Sequence, residues 1–430
     1  MTWAARIPTL AGLRYPQASF VLDFASNYYR GSGAQGSSPS ALPGYNFTRA
    51  LAAYAEDTSG NLIQFASGVP RITNKGVLIE EGRTNLQTQS EFASGWSTTN
   101  STITPNAGPA PNGAATAASL VETGATGQHV AAGASISKTS ASLTYTGSVY
   151  VSPKGRTFAE VQLTSVSGGA FVYVNLLTGA VTNGPGTYGS NWSAATATVT
   201  PAAGGMMRIA LTATNVTDTS LTMKVLVCNT GTSDNYTGDG TSGLYIWGGQ
   251  VEQASFPTSY IPTTSASVTR PADVFKYTNV NAPSPITMAA TASFSFGNQS
   301  AGTYEFVSLG SSFNDCAAIL RRDVSGGYQG FARTGGVSVA DVIAGGAPTA
   351  TTNTLAFRNA DNNFAFAKDG SILGTDVSGT APTFIASTLG IGTDSWGSGS
   401  GSTNGYIQRL AIYPFAASDA QLQSISSGNF

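Results

Sequence analysis

Apolar and polar residues alternate over short stretches in most of this chain, a period of two that is typical of β-strands with one buried face. From Leu221 to Val227, for example, every second residue is large and apolar, while Thr222 and Lys224 lie between them. Similar runs recur between residues 86 and 254 and between residues 293 and 413, separated by turns rich in Gly, Asn and Ser. We therefore predict an all-β fold of two tandem antiparallel β-sandwiches, the first of the jelly-roll type.

The stretch from Leu244 to Asp273 indicates a domain boundary. Leu244–Val251 alternates as a strand does, but prolines at 257, 262 and 271 exclude further pairing in a central strand. We expect the last strand of the first sandwich here, followed by an extended exit segment. The predicted domains are 1–85, a small N-terminal region with short strands; 86–275, the first sandwich; and 285–430, the second sandwich with a short C-terminal helix. Ser418–Gln421 has the capping-box pattern that starts such a helix.

Composition narrows the classes of partner. Charged residues make up 10% of the 430 residues, against about 25% in typical soluble domains. The net charge of −2 and the lack of a Lys/Arg cluster argue against a nucleic-acid partner. No apolar stretch is long enough for a membrane span or a signal peptide, so we expect synthesis in the cytoplasm without export. Cys228 and Cys316 fall in different predicted domains and are expected to be buried thiols.

Catalytic chemistry has little support in the sequence. His129, the single histidine, lies in a Gly/Ala-rich stretch and is predicted to occupy a surface or a turn. A Ser-His-Asp triad that includes it remains formally open, but no G-x-S-x-G motif supports such a triad. Glu80 and Glu81 are neighbours, so on a strand they point to opposite faces. Asp234 and Asp239 share a turn and offer oxygen ligands to calcium, although a hairpin turn explains them better. We predict a protein that is not an enzyme and has no catalytic residue, metal or cofactor.

Ligand binding has better candidates. Trp396 lies beside Asp394 in the Gly-rich loop Gly390–Gly401, a setting that core packing does not explain. Trp192 has a similar but weaker setting after Tyr188. An aromatic ring can stack on the C–H face of a sugar while neighbouring polar groups bind its hydroxyls, so Asp394, Trp396 and Trp192 are the predicted glycan-binding residues. Trp247, which alternates with core residues on a strand, is predicted to be structural.

Several motifs recur in a known family. In order along the chain they are Tyr45–Arg49, Val69–Arg71, Gly76–Leu86, Tyr245–Glu252, Pro257–Pro262 and Arg270–Asp273. As an ordered set they resemble phage virion proteins, head-spike or tail fibres with carbohydrate-binding-like jelly-roll domains. Residues 285–430 resemble the laminin-G or concanavalin A-like sandwich, through Lys368–Gly370, Gly390–Gly392 and Gly405–Tyr413.

This resemblance implies a virion fibre or spike, displayed on the particle surface, that binds host cell-surface polysaccharide during adsorption. Residues 1–85 would then attach to other virion proteins. The class also implies a homo-oligomer, with a trimer favoured and a pentamer at a capsid vertex as the alternative. No catalytic residues come with the resemblance. A purely structural decoration or adaptor protein of the capsid or tail, and less favoured a polysaccharide depolymerase, remain open.

Overall fold

The alternating pattern corresponds to β-strands in more than half of the residues described by the computed structural model, which covers residues 17–294, 304–322, 327–344, 352–396 and 401–430. The sheets are antiparallel, so the predicted all-β class is confirmed. The described residues contain one α-helix, α1 (Asp419–Ser426). It begins with the predicted capping box: the Ser418 hydroxyl accepts from the Gln421 backbone N–H (3.3 Å), and the Gln421 side chain accepts from the Ser418 N–H (2.8 Å).

The strands follow one another closely in sequence. Up to residue 81 they are β1 (Phe20–Asp23), β2 (Tyr28–Gly31), β3 (Ala34–Gly36), β4 (Tyr45–Thr48), β5 (Ala53–Glu56), β6 (Leu62–Phe65), β7 (Arg71–Thr73) and β8 (Gly76–Ile79).

From residue 82 to residue 271 they are β9 (Arg83–Asn85), β10 (Ser97–Thr99), β11 (Ser101–Gly108), β12 (Ala117–Glu122), β13 (Thr126–Gly127), β14 (His129–Ala132), β15 (Ile136–Ser137), β16 (Leu143–Lys154), β17 (Phe158–Ser165), β18 (Gly168–Asn175), β19 (Val181–Gly189), β20 (Trp192–Ala202), β21 (Met206–Asn215), β22 (Ser220–Cys228), β23 (Tyr236–Thr237), β24 (Gly243–Glu252) and β25 (Val268–Arg270).

After residue 271 they are β26 (Val274–Ala282), β27 (Ile286–Phe294), β28 (Tyr304–Ser312), β29 (Asp315–Arg322), β30 (Tyr328–Thr334), β31 (Val337–Ala344), β32 (Asn353–Asn359), β33 (Phe364–Lys368), β34 (Ser371–Asp376), β35 (Phe384–Ile391) and β36 (Gly405–Tyr413).

The chain divides into two compact units. Unit 1 comprises Met1–Ala50, Ser67–Glu81 and Ala272–Phe430, and unit 2 comprises Leu51–Ala66 and Gly82–Pro271. Each unit contains one of the cysteines, Cys316 in unit 1 and Cys228 in unit 2; both are buried and neither forms a disulfide, as predicted. Among the described residues, no helix is long and apolar enough to cross a membrane.

Unit 1 is built from two antiparallel sheets. One has the order β3-β2-β1-β36-β27-β32-β33-β34, with β8 pairing both β36 and β7, and the other has the order β31-β30-β29-β28-β35-β26-β4. Their apolar residues form one core, in which Phe275, Phe357 and Ile407 are fully buried.

The N-terminal strands belong to this same sandwich and not to a separate region of residues 1–85. Strand β1 pairs with β36 and β4 pairs with β26, and the backbone N–H of Ser19 donates to the carbonyl of Ile412 (2.8 Å), 393 positions away. Residues 51–66 belong to unit 2 instead. Local sequence patterns do not encode such distant pairing, so the observed units divide differently from the predicted domains. Residues 1–16 of the predicted region lie outside the described residues.

A buried ion-pair cluster lies within unit 1. The Arg71 guanidinium donates to Glu80 (2.7 Å) and to Asp273, whose other oxygen accepts from Arg49 (3.0 Å). All four side chains are at most 2% exposed. Several of the motifs that carry the family resemblance therefore contribute to a structural cluster.

Unit 2 is a sandwich of a seven-stranded and a six-stranded sheet. The first has the order β10-β14-β22-β17-β18-β19, with β15 pairing β22, and the second has the order β11-β12-β24-β16-β21-β20. Short pairs β5-β6, β13-β23 and β9-β25 complete the unit. Its core includes Val161, Val172 and Val225, all fully buried.

The predicted exit segment after β24 stays attached to unit 2. The Glu252 carboxylate accepts from the Thr258 backbone N–H (2.9 Å) and hydroxyl (2.6 Å), and the Gln250 side-chain oxygen accepts from the Ile261 N–H (2.8 Å). Trp247 is fully buried, with its ring centroid 4.3 Å from that of Tyr260. The prediction that Trp247 is structural is confirmed.

Candidate functional site

The seven-stranded sheet of unit 2 has an outer face that carries polar and aromatic side chains. Successive residues of a strand point to opposite faces. On β17, Val161 belongs to the core, so Glu160 and Gln162 point to the other face. On β18, Val172 belongs to the core, and Phe171 and Tyr173 point outward in the same way.

The strand register aligns these residues in two rows. In the first row Glu160 is opposite Leu226 of β22 on one side and Tyr173 of β18 on the other. Tyr173 is in turn opposite Asn183 of β19. Side chains of directly opposed residues are nearest neighbours on an antiparallel sheet, so an acid, a phenol and an amide are adjacent.

The second row runs parallel to the first. Gln162 is opposite Lys224 of β22 and Phe171 of β18, and Phe171 is opposite Gly186 of β19. A Cβ at Gly186 would lie 2.8 Å from the Phe171 ring. The absence of a side chain there lets the ring lie directly on β19.

An open cleft of about 290 Å³ lies over these rows. Gln128, Tyr188 and Asp234 complete its lining. Tyr188 is 44% exposed, and its ring centroid lies 6.4 Å from that of Phe171. The cleft therefore presents aromatic surfaces next to carboxylate and amide groups.

Glu160 is the buried acid of the cleft, with 2% of its surface exposed. One carboxylate oxygen accepts from the Gln162 amide (2.7 Å), and the carboxyl group also interacts with the Tyr173 phenol and the Asp234 side chain. Burial raises the pKa of Glu160 to about 7; the Gln162 hydrogen bond opposes this rise and the nearby charge of Asp234 adds to it. Near neutral pH this group is therefore divided between its acid and carboxylate forms.

Asp234 reaches the cleft from the turn between β22 and β23. The Gln128 amide donates to one of its oxygens. The pKa of Tyr173 is raised first by burial and then by the charges of Glu160 and Asp234, so the phenol stays protonated and can donate. Chemically, the cleft suits a ligand that has both apolar faces and several hydroxyl or other polar groups.

None of these cleft residues was among the predicted site residues. The alternating pattern predicts strands in this part of the chain, but Asp234 is interpreted from the sequence only with Asp239, as a turn that offers oxygen ligands to calcium, and Glu160 is not among the candidates. The signal that could have identified the cleft was Glu160 and Gln162 alternating with core residues on one strand, followed by Phe171 and Tyr173 alternating on the next.

Trp192 lies in the core of unit 2 and is 7% exposed. Its indole N–H donates to the Ser165 hydroxyl (2.7 Å), which donates to Asp218 (2.6 Å). A ring with so little exposed surface offers no face for stacking on a sugar. Its placement therefore removes the basis of the prediction for Trp192.

Asp394 and Trp396 lie in unit 1, in a loop whose residues 397–400 are outside the described residues. Asp394 is 6% exposed. Burial lowers the pKa of the neighbouring Lys276, and the charges of Asp394 and Glu305 oppose that shift. Trp396 is half-buried, and its ring centroid lies 5.7 Å from that of Phe313. The role of Asp394 and Trp396 in glycan binding stays a prediction.

The remaining candidates have structural settings. His129 is fully buried on β14, with its ring nitrogens facing the carbonyl oxygens of Asn100 (2.7 Å) and Tyr236 (3.3 Å), so the expected surface position is wrong. Asp239 accepts from the backbone N–H groups of Thr241 (2.8 Å) and Ser242 (2.7 Å), as a turn residue does. Within the described ranges, no group of three or more His, Cys, Asp or Glu side chains could hold a metal ion.

Comparison of the sequence with protein-family models and with curated proteins gives no match.

Among solved structures, one match is a carbohydrate-binding module (CBM40) of the Ruminococcus gnavus IT-sialidase, bound to sialyllactose. It is 16% identical to this chain, and the match covers 34% of this chain and 84% of that one with a TM-score of 0.29. Domain 4 of an extracellular GH43 arabinanase from Geobacillus stearothermophilus, in complex with arabinotriose, is 13% identical over 40% of this chain and 82% of that one, with a TM-score of 0.30. A Trypanosoma rangeli sialidase in complex with sialic acid is 10% identical over 78% of this chain and 63% of that one, with a TM-score of 0.26. These low TM-scores assign the chain neither a family nor a ligand.

Proposed function

We propose that unit 2 binds carbohydrate in the cleft over β17, β18 and β19. The observation that carries this proposal is the adjacency of aromatic, carboxylate and amide side chains on the outer face of one sheet. Glu160, Tyr173 and Asn183 form one row, and Gln162 and Phe171 form the next.

The chemistry of a sugar matches this arrangement. Its C–H faces are apolar and stack on aromatic rings, here Phe171 and the exposed Tyr188. Its hydroxyl groups both donate and accept hydrogen bonds, so they can donate to Glu160 and Asp234 and accept from side-chain amides. The cleft is open to solvent, so a sugar unit of a longer chain can enter it.

We further propose that the polysaccharide belongs to a host cell surface and that the chain is a fibre or spike displayed on a phage virion. The support is the ordered set of motifs from Tyr45 to Asp273 described above. From that class we propose a homo-oligomer, with a trimer favoured and a pentamer as the alternative. Several weak sites on one particle give a much higher avidity than one site. A purely structural decoration or adaptor protein is the competing possibility, and it predicts that the intact oligomer binds no glycan.

We propose binding without cleavage. One observation favours hydrolysis as an alternative: Glu160 has a pKa of about 7 and shares its cleft with a second acid, Asp234, and glycosidases require two carboxylates. Incubating the intact protein with purified host polysaccharide and measuring chain length distinguishes the two. Shortened chains that disappear in the Glu160→Gln variant would establish the hydrolase.

The binding proposal is tested with a glycan array and purified host polysaccharide. Tyr188→Ala removes an aromatic ring that is 44% exposed in the cleft, and Phe313→Ala is its matched control, a ring 40% exposed in unit 1 beside Trp396. We expect Tyr188→Ala to weaken binding about tenfold, roughly 1.4 kcal/mol, and Phe313→Ala to leave it unchanged. Loss of binding in Phe313→Ala and Trp396→Ala, with Tyr188→Ala unaffected, would move the site to unit 1.

A further inference from the structure

One open side of unit 2 is formed by the edge strands of its two sheets. β19 is the last strand of the seven-stranded sheet, and β20 is the last strand of the six-stranded sheet. Ser190 and Asn191 join the two strands at one end. At the other end the turn before β19 lies beside β20, because a Cβ at Gly179 would lie 3.7 Å from Cγ1 of Val199. The two strands therefore run side by side in opposite directions, and we call them the β19–β20 rim.

The β19–β20 rim is exposed and uncharged. Among the nine residues of β19 and the eleven of β20, only Trp192 is buried. No Asp, Glu, Lys or Arg occurs from Val161 to Met207, although charged residues make up 10% of the chain. Soluble proteins commonly protect exposed edge strands with charged side chains, prolines or bulges. β19 has such protection in Pro185 and in its irregular register with β18.

β20 lacks this protection between Thr196 and Thr200, where it pairs in regular register with β21. Along a β-strand, the backbone N–H and C=O groups of alternate residues point to opposite sides. Half of these groups of β20 therefore point away from β21. Within the described part of the chain, the backbone of this segment makes no backbone hydrogen bond outside its ladder with β21. The edge is therefore free to accept a further strand.

The side chains of β20 are arranged symmetrically about Thr198. Thr196, Thr198 and Thr200 are exposed, whereas Ala197 and Val199 pack against the core. In an antiparallel pair of two β20 strands centred on Thr198, Thr196 would be opposite Thr200 of the other strand. Ala197 would be opposite Val199 in the same way. Threonines would then face threonines, and residues that face the core would face their counterparts.

We propose that unit 2 pairs with unit 2 of a second copy of this chain through β20, so that the two six-stranded sheets become one. A second copy fits because the edge has no charge that would repel its like across the pair. Threonine pairs across strands stabilise a sheet, and this sheet already contains one, in which the hydroxyls of Thr146 and Thr212 lie 2.7 Å apart. Thr196 is opposite Thr212, so the second copy would extend an existing row of threonines.

The size of the β19–β20 rim suits such a contact. A strand of eleven residues is about 36 Å long, and two packed sheets with their outer side chains are roughly 20 Å thick. The rim therefore offers roughly 700 Å² per copy, close to the ~800 Å² per partner of stable interfaces.

The pair has twofold symmetry about an axis perpendicular to the sheets. It closes on two chains, so it is distinct from the threefold or fivefold contact of the trimer or pentamer proposed above. The same rotation places the outer faces of the two seven-stranded sheets on one side of the pair, so both clefts face the same way. The pairing does not depend on glycan binding and is tested without a ligand.

The first test uses the full chain with one added cysteine. Cys228 and Cys316 are buried and should not react. The two Thr198 residues of the pair would be directly opposite, with Cα atoms about 4.5–5.5 Å apart, which a disulfide can span. We expect Thr198→Cys to form a disulfide-linked pair at least tenfold faster than Thr196→Cys, whose counterpart would lie about 13 Å away along the strand. Thr104→Cys is the matched control, because it changes an exposed threonine of β11, at the opposite edge of the same sheet.

Molar mass measured by light scattering is the second test. We expect Thr198→Lys to halve the mass of the wild-type assembly, because two lysines would be opposite each other, and Thr104→Lys to leave it unchanged. Disulfide formation in Thr198→Cys no faster than in Thr104→Cys would overturn the inference, as would an unchanged mass in Thr198→Lys. A wild-type mass of 43.8 kDa, that of a single chain, would leave this edge to a strand of another protein and would also overturn it.

Discussion

Glu160 and Tyr173 lie directly opposite each other in the antiparallel register of β17 and β18, on the sheet face that points away from the core of unit 2. The pairing puts a buried carboxylate beside a phenol that stays protonated, because burial and the negative charges of Glu160 and Asp234 raise the pKa of Tyr173. An acid placed there is unfavourable for the stability of the sheet. Such a placement is typical of functional sites, where burial and neighbouring charges shift the pKa of the groups that act on a ligand.

The first prediction concerns the pH dependence of stability. The pKa of Glu160 is raised from 4.5 to about 7 in the folded protein, so its stabilising contribution is complete below about pH 4.5 and is lost as pH rises through 7. Glu160→Gln does not titrate. We therefore expect the free energy of unfolding of Glu160→Gln, relative to wild type, to increase by about 2 kcal/mol between pH 5 and pH 8.

Hydrogen exchange of the β17 and β18 amides at the two pH values measures this change within unit 2. Gln162→Glu is not a suitable control, because it adds a third acid to the cleft. Val166→Ala, which shortens an exposed side chain of unit 2, serves instead, because neither valine nor alanine titrates. A pH-independent difference between Glu160→Gln and wild type would contradict a raised pKa at Glu160.

The second prediction concerns the glycine beneath Phe171. In Gly186→Ala the new methyl group would lie 2.8 Å from the ring as it now stands, so the ring must move. We expect glycan affinity to fall about tenfold, close to the effect of Phe171→Ala. The free energy of unfolding of unit 2 should fall by less than about 1 kcal/mol, because an outward-facing ring can shift without opening a cavity in the core. Normal affinity in Gly186→Ala together with weak binding in Phe171→Ala would show that the ring position is not restricted by β19.

Much of the secondary structure could be predicted from the chain, because alternation and capping are local properties. The helix start at Ser418 follows from a hydroxyl and an amide three positions apart. Alternation left the face of Trp247 open: Leu244 and Ile246 lie in the main core of unit 2, and Trp247 is buried in a second cluster with Tyr150 and Tyr260. The pairing of β1 with β36 joins residues nearly four hundred positions apart and leaves no local pattern. For that reason the N-terminal strands were predicted to form a region of their own.

The cleft was missed for a related reason. Glu160 and Tyr173 each alternate with core residues, which only indicates a strand. Their adjacency depends on the register between β17 and β18, and the neighbouring acid comes from a turn 74 positions further along. Trp192, in contrast, has the composition of a surface loop around it but is buried, because its indole N–H binds Ser165 and its ring fills the core of unit 2.

The third prediction concerns Asp218, which holds several turns of unit 2 together. Its carboxylate accepts from Ser165 (2.6 Å), Ser167 (2.5 Å), Asn215 (2.6 Å) and Asn191 (3.2 Å). Burial acts to raise the pKa of Asp218, but these hydrogen bonds outweigh it and hold the pKa below the ordinary value.

A lowered pKa means that the stabilising contribution is present above the unfolded pKa, about 3.9, and is lost as pH falls below it. We expect Asp218→Asn to destabilise unit 2 by about 1–3 kcal/mol at pH 7 and by less at pH 3. Hydrogen exchange of β20 and β21 amides provides the measurement. A loss that is equal at both pH values would mean that packing, and not the charge, is responsible.

The last prediction compares a buried with an exposed ion pair in unit 1. Asp273 is fully buried and accepts from both Arg71 and Arg49, whereas Asp419 is 66% exposed in its side chain and accepts from Arg358 (2.7 Å). Asp273→Ala leaves two buried guanidinium groups without this acid, and we expect it to destabilise unit 1 by about 3–5 kcal/mol. Asp419→Ala should lower the free energy of unfolding of unit 1 by at most about 1 kcal/mol, because water can replace the exposed Asp419 carboxylate as the partner of Arg358. Chemical denaturation monitored by hydrogen exchange of the β26 and β36 amides measures the loss of stability in each variant. Similar losses in the two variants would contradict a structural role for the buried cluster. A large loss confined to Asp273→Ala would support that role.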